Sequence, residues 1–337
     1  MAQPVTVYRW DDAGAPSLTN RTPLEVLTIL KKCLVEGYGE KAPLGWTMPF
    51  EDAANYKAVF RNNPAVGSGS YVQARSANGT NNSNIAVSMT PAKFISDVDT
   101  LVQPGLTRPF SLSSGFTAWV LIGTATGFYL LAGLPTSVCA GWASNLEQHI
   151  FVGDIDSLLP NDAGRFVVVS VPQSSGNLTG TSYAGWNTSF YLFNAQGGAS
   201  SIGTANCRLY DADNFDGYKD YVIGVAFNAS ATSASSPPPS PLESKLDLYM
   251  RPFLTLAGSS STTIINTSLT DRFGNWANSS QVSPTLRGFL PGFIYELAPR
   301  YATQNWPVTE LINDQEHWLL RNTAGLIAGF WLNMEEW

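Results

Sequence analysis

The stretch AWVLIGTATGFYLLAG, residues 118–133, decides the class of fold. Two apolar runs, AWVLIG (118–123) and GFYLLA (127–132), flank a short segment centred on Ala125. Each run has the length of a strand and is too short for a buried helix, and Gly and Thr between them are turn residues, so the pair is expected as a hairpin. Neither run alternates apolar with polar residues. A sheet built from such strands is expected to be covered on both faces. Gly123, Thr124, Thr126 and Gly127 also break the stretch below the roughly 18 apolar residues of a membrane-spanning helix, so no membrane partner is expected.

Working outward, similar runs recur on both sides. VTVYRW (5–10), GWTMPF (45–50), YKAVFR (56–61), SYVQAR (70–75) and NIAVSM (84–89) precede the hairpin. HIFVGD (149–154), RFVVVSV (165–171), SFYLFN (189–194), YVIGVAF (221–227), KLDLYMRPFLTL (245–256), TTIINTSL (262–269) and RGFLPGFIY (287–295) follow it. EHWLLRNTAGLIAGFWLNMEEW (316–337) reads as a closing hairpin with its turn at Thr323-Ala324-Gly325. One helix is well signalled. Thr22 is an N-cap, Pro23 suits the first helical position and Glu25 completes a capping box. Val26, Ile29, Leu30, Cys33 and Leu34 then mark one buried face, and Gly37 and Gly39 end it. A second, shorter helix is expected from Thr90-Pro91 through TPAKFISDVDTL (90–101). The fold class is therefore α+β and β-dominated: a small α/β N-terminal module (1–100), then a β-sandwich or barrel-like body. That body is divided into 101–227, a Ser/Pro-rich linker at 228–242, and a C-terminal segment (243–337) packed with it.

The 337 residues carry a formal net charge of −7, and only 13% are charged, against about 25% in an ordinary soluble domain. Trp, Tyr and Phe number 10, 13 and 17. Low charge with many aromatics fits a surface buried in partners; it fits equally a β-rich protein with a polar, uncharged surface. Nucleic acid is not an expected partner, because phosphate binding needs clustered Lys and Arg and the 19 basic residues are scattered. Cys33, Cys139 and Cys207 are widely spaced and odd in number, which reads as buried free thiols of a reducing cytosol. MAQPVTVYRW lacks the basic and apolar regions of a signal peptide.

Groups suited to catalysis are few. His149 and His317 are read as structural, and GxSxG, HExxH, GxxxxGK[ST] and a strand-following GxGxxG do not occur. Asp154, Asp156 and Asp162 in GDIDSLLPND could serve a paired-carboxylate hydrolase, against ordinary turn and capping chemistry. Asp211, Asp213 and Asp216 in DADNFDGYKD are candidate ligands of a structural cation. An EF-hand register starting at Asp211 fails, with Phe215 in the fifth place and glycine one place late, and a solvated acidic loop is the preferred reading. No cofactor is implied. Trp10, Trp331 and Trp337 are the candidate interface residues, each weighed against a place in the core.

Several ordered patterns resemble one family, the virion-associated structural proteins of tailed bacteriophages and prophages. VYRWDDAGAPSL, the helix end KKCLVEGYGEKAPLGWTMPF and NYKAVFRN are similar to its N-terminal module. SDVDT (96–100), AWVLIGTATGFYLL, VGDIDSLLPNDAG, RGFLPGFIYELAPR and the closing GFWLNMEEW resemble later segments in the same order. The Ser/Pro-rich insert departs from the pattern. The resemblance implies a non-enzymatic virion component, made in the host cytoplasm. It would assemble in multiple copies at the neck or collar, tail or baseplate, with other virion proteins as partners and a symmetric homo-oligomer as its form. It also makes the acidic stretch at 153–163 a fixed turn whose carboxylates cap backbone N–H groups. The alternatives are a receptor- or carbohydrate-binding tail protein and a glycan hydrolase.

Overall fold

A computed structural model describes residues 2–112, 115–133, 148–170, 207–212, 217–224, 249–256, 286–296, 307–321 and 329–337. The fold is β-rich, built from antiparallel sheets with open edges and not from a closed barrel. Ala118–Gly123 and Gly127–Gly133 form the expected hairpin at the centre of the molecule. Thr6–Arg9 pairs with the first arm, Gln148–Asp154 with the second, and Phe166–Val169 completes this central sheet.

The missing polar alternation has its explanation here. Trp119, Leu121, Phe128 and Leu130 enter one core; Ala118, Val120, Ile122, Tyr129 and Leu131 enter a second on the opposite face. Every residue of both arms is buried, because water meets neither side.

The first core is closed by a second sheet and the helix. Thr47–Asp52, Lys57–Arg61, Tyr71–Ser76, Val87–Asp97 and Thr100–Pro104 lie in sequential order, and Arg108–Phe110 also pairs with Val87–Met89. This is the N-terminal sheet. The helix Pro23–Lys31 has the expected capping box and continues through a π-helical turn, Lys32–Glu36, to Gly37 at φ 78°. Val26, Ile29, Leu30, Cys33 and Leu34 are all buried in the first core with Phe60, Val72 and Met89. The sequence at 5–10 belongs to the central sheet, and the first core draws on residues from Tyr8 to Val168. The division expected at residue 100 coincides with the start of the strand Thr100–Pro104, which pairs back onto Val87–Asp97.

The helix expected from Thr90-Pro91 is a strand. Val87–Asp97 runs for 11 residues through Pro91. Proline is tolerated because the strand changes partner there, from Arg108–Phe110 to Thr100–Pro104. The Pro91 carbonyl still accepts from the Gly105 N–H at 2.8 Å, and the absent N–H falls at a break in the ladder.

Two further sheets close the second core. One contains Asp156–Ser157, Leu286–Phe289, Phe253–Leu256, Tyr218–Gly224 and Cys207–Tyr210. The other contains Tyr249–Met250, Phe293–Glu296, Gly329–Asn333, Gln315–Arg321 and Thr309–Ile312. Leu209, Tyr221, Ile223, Leu254, Phe293 and Leu332 carry them onto the central sheet. The closing hairpin at 316–337 is present, with its turn outside the described residues, as are SFYLFN (189–194), TTIINTSL (262–269) and the linker 228–242. The two chain ends pair: the Gln3 N–H donates to the Trp337 carbonyl at 2.7 Å and the Trp337 N–H returns to Gln3 at 3.0 Å.

Candidate functional site

The segment GDIDSLLPNDAG (153–164) is where the layers meet. Strand Gln148–Asp154 ends where Gly153 opposes Gly127 at φ 151°, with the two backbones in close approach. The next residues reach three other parts of the molecule.

Asp154 is buried and accepts four hydrogen bonds. Asn62 Nδ2 donates at 3.1 Å, the Ser68 N–H at 2.7 Å, Ser68 Oγ at 2.6 Å and Arg165 Nε at 2.9 Å. Asn62 and Ser68 lie between Lys57–Arg61 and Tyr71–Ser76, so one carboxylate fixes the N-terminal sheet to the end of the central sheet. Asp156 pairs with Arg251, whose guanidinium lies 4.6 Å from the Phe289 ring centroid. Asp162 is fully buried. Its oxygens accept from Arg287 Nη2 at 2.7 Å and Nε at 2.8 Å, from Ser157 Oγ at 2.6 Å and from the Gly164 N–H at 2.9 Å. Arg287 also donates to the Tyr210 carbonyl at 2.8 Å. Two desolvated charges are tolerable because each is paired and further hydrogen-bonded.

These acids are thus committed to the fold. Each faces a guanidinium; Asp162 caps the Gly164 N–H within the turn, whereas Asp154 reaches the Ser68 N–H, 86 residues away. The capping expected of the segment is met by Asp162 alone. The partner of Asp162 is Arg287, the first residue of the motif RGFLPGFIY, and no local pattern links the two segments.

A narrow cleft opens between Thr100–Pro104 and Cys207–Tyr210, lined among others by Lys93, Gln103, Phe166, Arg208, Tyr210 and Asp211. Its volume of about 20 Å³ holds a single water. Gln103 adopts a left-handed φ of 50° there. Asp211 forms the turn closed by its N–H to the Gly217 carbonyl at 2.9 Å, whereas Asp213 and Asp216 lie outside the described residues. Among the described residues, no three His, Cys, Asp or Glu side chains gather as a metal site would.

His149 is buried in the central sheet, and burial holds its pKa well below 6.5. His317 is shifted the same way by burial, with its Nδ1 2.9 Å from the Gln315 carbonyl. Cys33 and Cys207 are buried free thiols; burial raises both pKa values, that of Cys207 to about 12. Such thiols are poor nucleophiles. Cys139 lies outside the described residues.

The three tryptophans do not behave alike. Trp331 is 0% exposed and packs with Val308, Ile312 and Leu319, so its place is the core and not an interface. Trp337 is half-buried; its ring meets Tyr129 edge-on at 5.3 Å and its Nε1 donates to the Asn333 carbonyl at 2.8 Å. Trp10 is half-buried between both cores, with the Arg9 guanidinium 5.1 Å from its ring. Trp10 and Trp337 each keep one exposed part; Trp331 keeps none. No helix among the described residues is long and apolar enough to cross a membrane.

No protein-family model matches the chain, and no curated protein matches it.

Proposed function

We propose that the protein is a non-enzymatic structural component of a tailed-bacteriophage virion, present in multiple copies. The observation that carries this reading is the clamp at 153–164. The most acid-rich of the segments that resemble the virion family spends Asp154, Asp156 and Asp162 on tying the layers, through Arg165, Arg251 and Arg287. The chain's resemblance to the family runs through the segments that meet at this clamp, GDIDSLLPNDAG and RGFLPG. A body held by internal ion pairs and covered sheets suits a part that bears load within an assembly.

The low charge fraction supports the same reading, since interface cores are depleted of charge and enriched in aromatics. Mass spectrometry of particles purified from a phage encoding this chain tests it directly. The protein is expected at a fixed stoichiometry to the known tail or head proteins. Its absence from intact, infectious particles would overturn the proposal.

A further inference from the structure

Asn78-Gly79, in the turn after strand Tyr71–Ser76, is the one place in the chain where an asparagine precedes a glycine. Asn78, Gly79 and Thr80 are all exposed. The Gly79 N–H makes no hydrogen bond among the described residues. Gly79 stands at φ 78°, and a Cβ built on it would meet nothing within 4 Å. Asn78 Oδ1 accepts from the Thr80 N–H at 3.0 Å and from the Thr80 hydroxyl at 2.9 Å. Ser76 Oγ, 3.3 Å from the same oxygen, gives its proton to the Thr80 carbonyl at 2.6 Å and so fixes the turn.

The other described asparagines lack this combination. The N–H that follows Asn20, Asn55, Asn62, Asn84 and Asn333 is hydrogen-bonded in each case. Asn63 precedes Pro64, which has no N–H. Asn81, Asn82, Asn161 and Asn313 precede residues whose Cβ crowds the main-chain nitrogen, as glycine does not.

We infer that Asn78 is a self-modification site, converted to aspartate and isoaspartate by its own main chain and water. Hydroxide removes the Gly79 N–H proton, and that nitrogen bonds to Asn78 Cγ. Negative charge gathers on Oδ1, where both Thr80 donors already stand. The Cγ–Nδ2 bond then breaks, solvent protons complete the leaving ammonia, and a five-membered imide remains. Water opens the ring at one of its two C–N bonds. Breaking the bond to Cγ gives aspartate on an ordinary main chain. Breaking the bond to the Asn78 main-chain carbonyl carbon gives isoaspartate, with the chain running through Cγ. One water is consumed and one ammonia released, and nothing is oxidised or reduced.

Either product adds a carboxylate to a chain already at net −7. The same loop also holds the helix entry. The Leu24 N–H donates to Asn81 Oδ1 at 2.9 Å, and Arg21 Nε donates to Asn84 Oδ1 at 3.0 Å. Isoaspartate lengthens the main chain by one atom just before these contacts, so the modification bears on the helix cap. None of this depends on the virion reading.

Incubation of the folded full chain at mildly alkaline pH, followed over time by mass spectrometry of tryptic peptides, is the test. Cleavage after Arg75 and Lys93 places Asn78, Asn81, Asn82 and Asn84 in one peptide, so three asparagines serve as internal references. Asn78 is expected to gain one mass unit first, as two products that separate by chromatography. Thr80→Val should slow the reaction about fivefold, the rate equivalent of one hydrogen bond, with circular dichroism unchanged. Gly79→Ala should slow it as well. Conversion at Asn78 no faster than at Asn81 and Asn82 would overturn the inference. A Thr80→Val rate equal to the wild type or above it would overturn the part assigned to Thr80.

Discussion

Asp162 and Arg287 are 125 residues apart in sequence and meet in a two-point ion pair, 2.7 and 2.8 Å, with both side chains fully buried. The pair joins the turn after the central sheet to a strand of the next sheet. The Tyr210 carbonyl and Ser157 hydroxyl complete it, so three separate pieces of chain depend on one contact.

Removing one partner strands the other. Arg287→Met or Asp162→Leu is expected to lower stability by about 3–5 kcal/mol, whereas the double variant should lose clearly less than the sum. Urea denaturation of the three variants gives the cycle. Additive losses would show that the two residues act independently.

Trp331 offers a test of core against interface. Trp331→Ala should cost about 3–5 kcal/mol of stability. Trp10→Ala, at a half-buried site, should cost less. Equal and small losses for both, with a change of oligomeric state for Trp331→Ala, would contradict its burial.

His149 sets an acid limit. Burial depresses its folded-state pKa, so below about pH 6.5 the unfolded chain binds a proton that the folded core refuses. Stability should therefore be level above that pH and fall on acidification by up to about 1.4 kcal/mol per pH unit. His317 acts in the same sense. Urea midpoints between pH 5 and pH 7.5 should show the slope, and His149→Gln should flatten it; an identical slope in the variant would rule His149 out.

Gly153 is required by the close crossing with Gly127. A Cβ there would lie 2.7 Å from the Thr126 carbonyl, and the backbone sits at φ 151°. Gly153→Ala should cost about 1–3 kcal/mol or more by displacing the hairpin turn. Thermal melting measures it, with Gly79→Ala, where nothing stands within 4 Å but φ is also positive, as a control for backbone strain alone.

How much of this was legible follows from the range of each signal. The helix was readable because Thr22, Pro23 and Glu25 act within one turn. The central hairpin was readable because a covered sheet needs apolar residues at every position. Val87–Asp97 was misread because Thr90-Pro91 carries the local signature of a helix start. Its strand character comes from partners at 71–76 and 100–110 that no local pattern announces. Asp162 could be placed in a fixed turn, but not beside Arg287, since nothing in either segment encodes the distance between them.

The pairing of Gln3 with Trp337 makes the path of the chain almost a closed circuit. A short peptide joining the two ends would follow a hydrogen-bonded rung already in place, and the circuit could then be opened elsewhere. Gly79, in an exposed turn with open space around it, is the natural cut. Such a circular permutant would present new ends beside the N-terminal sheet, and any fluorescent or affinity label fused at the original ends, on either side, would emerge from a single point of the surface.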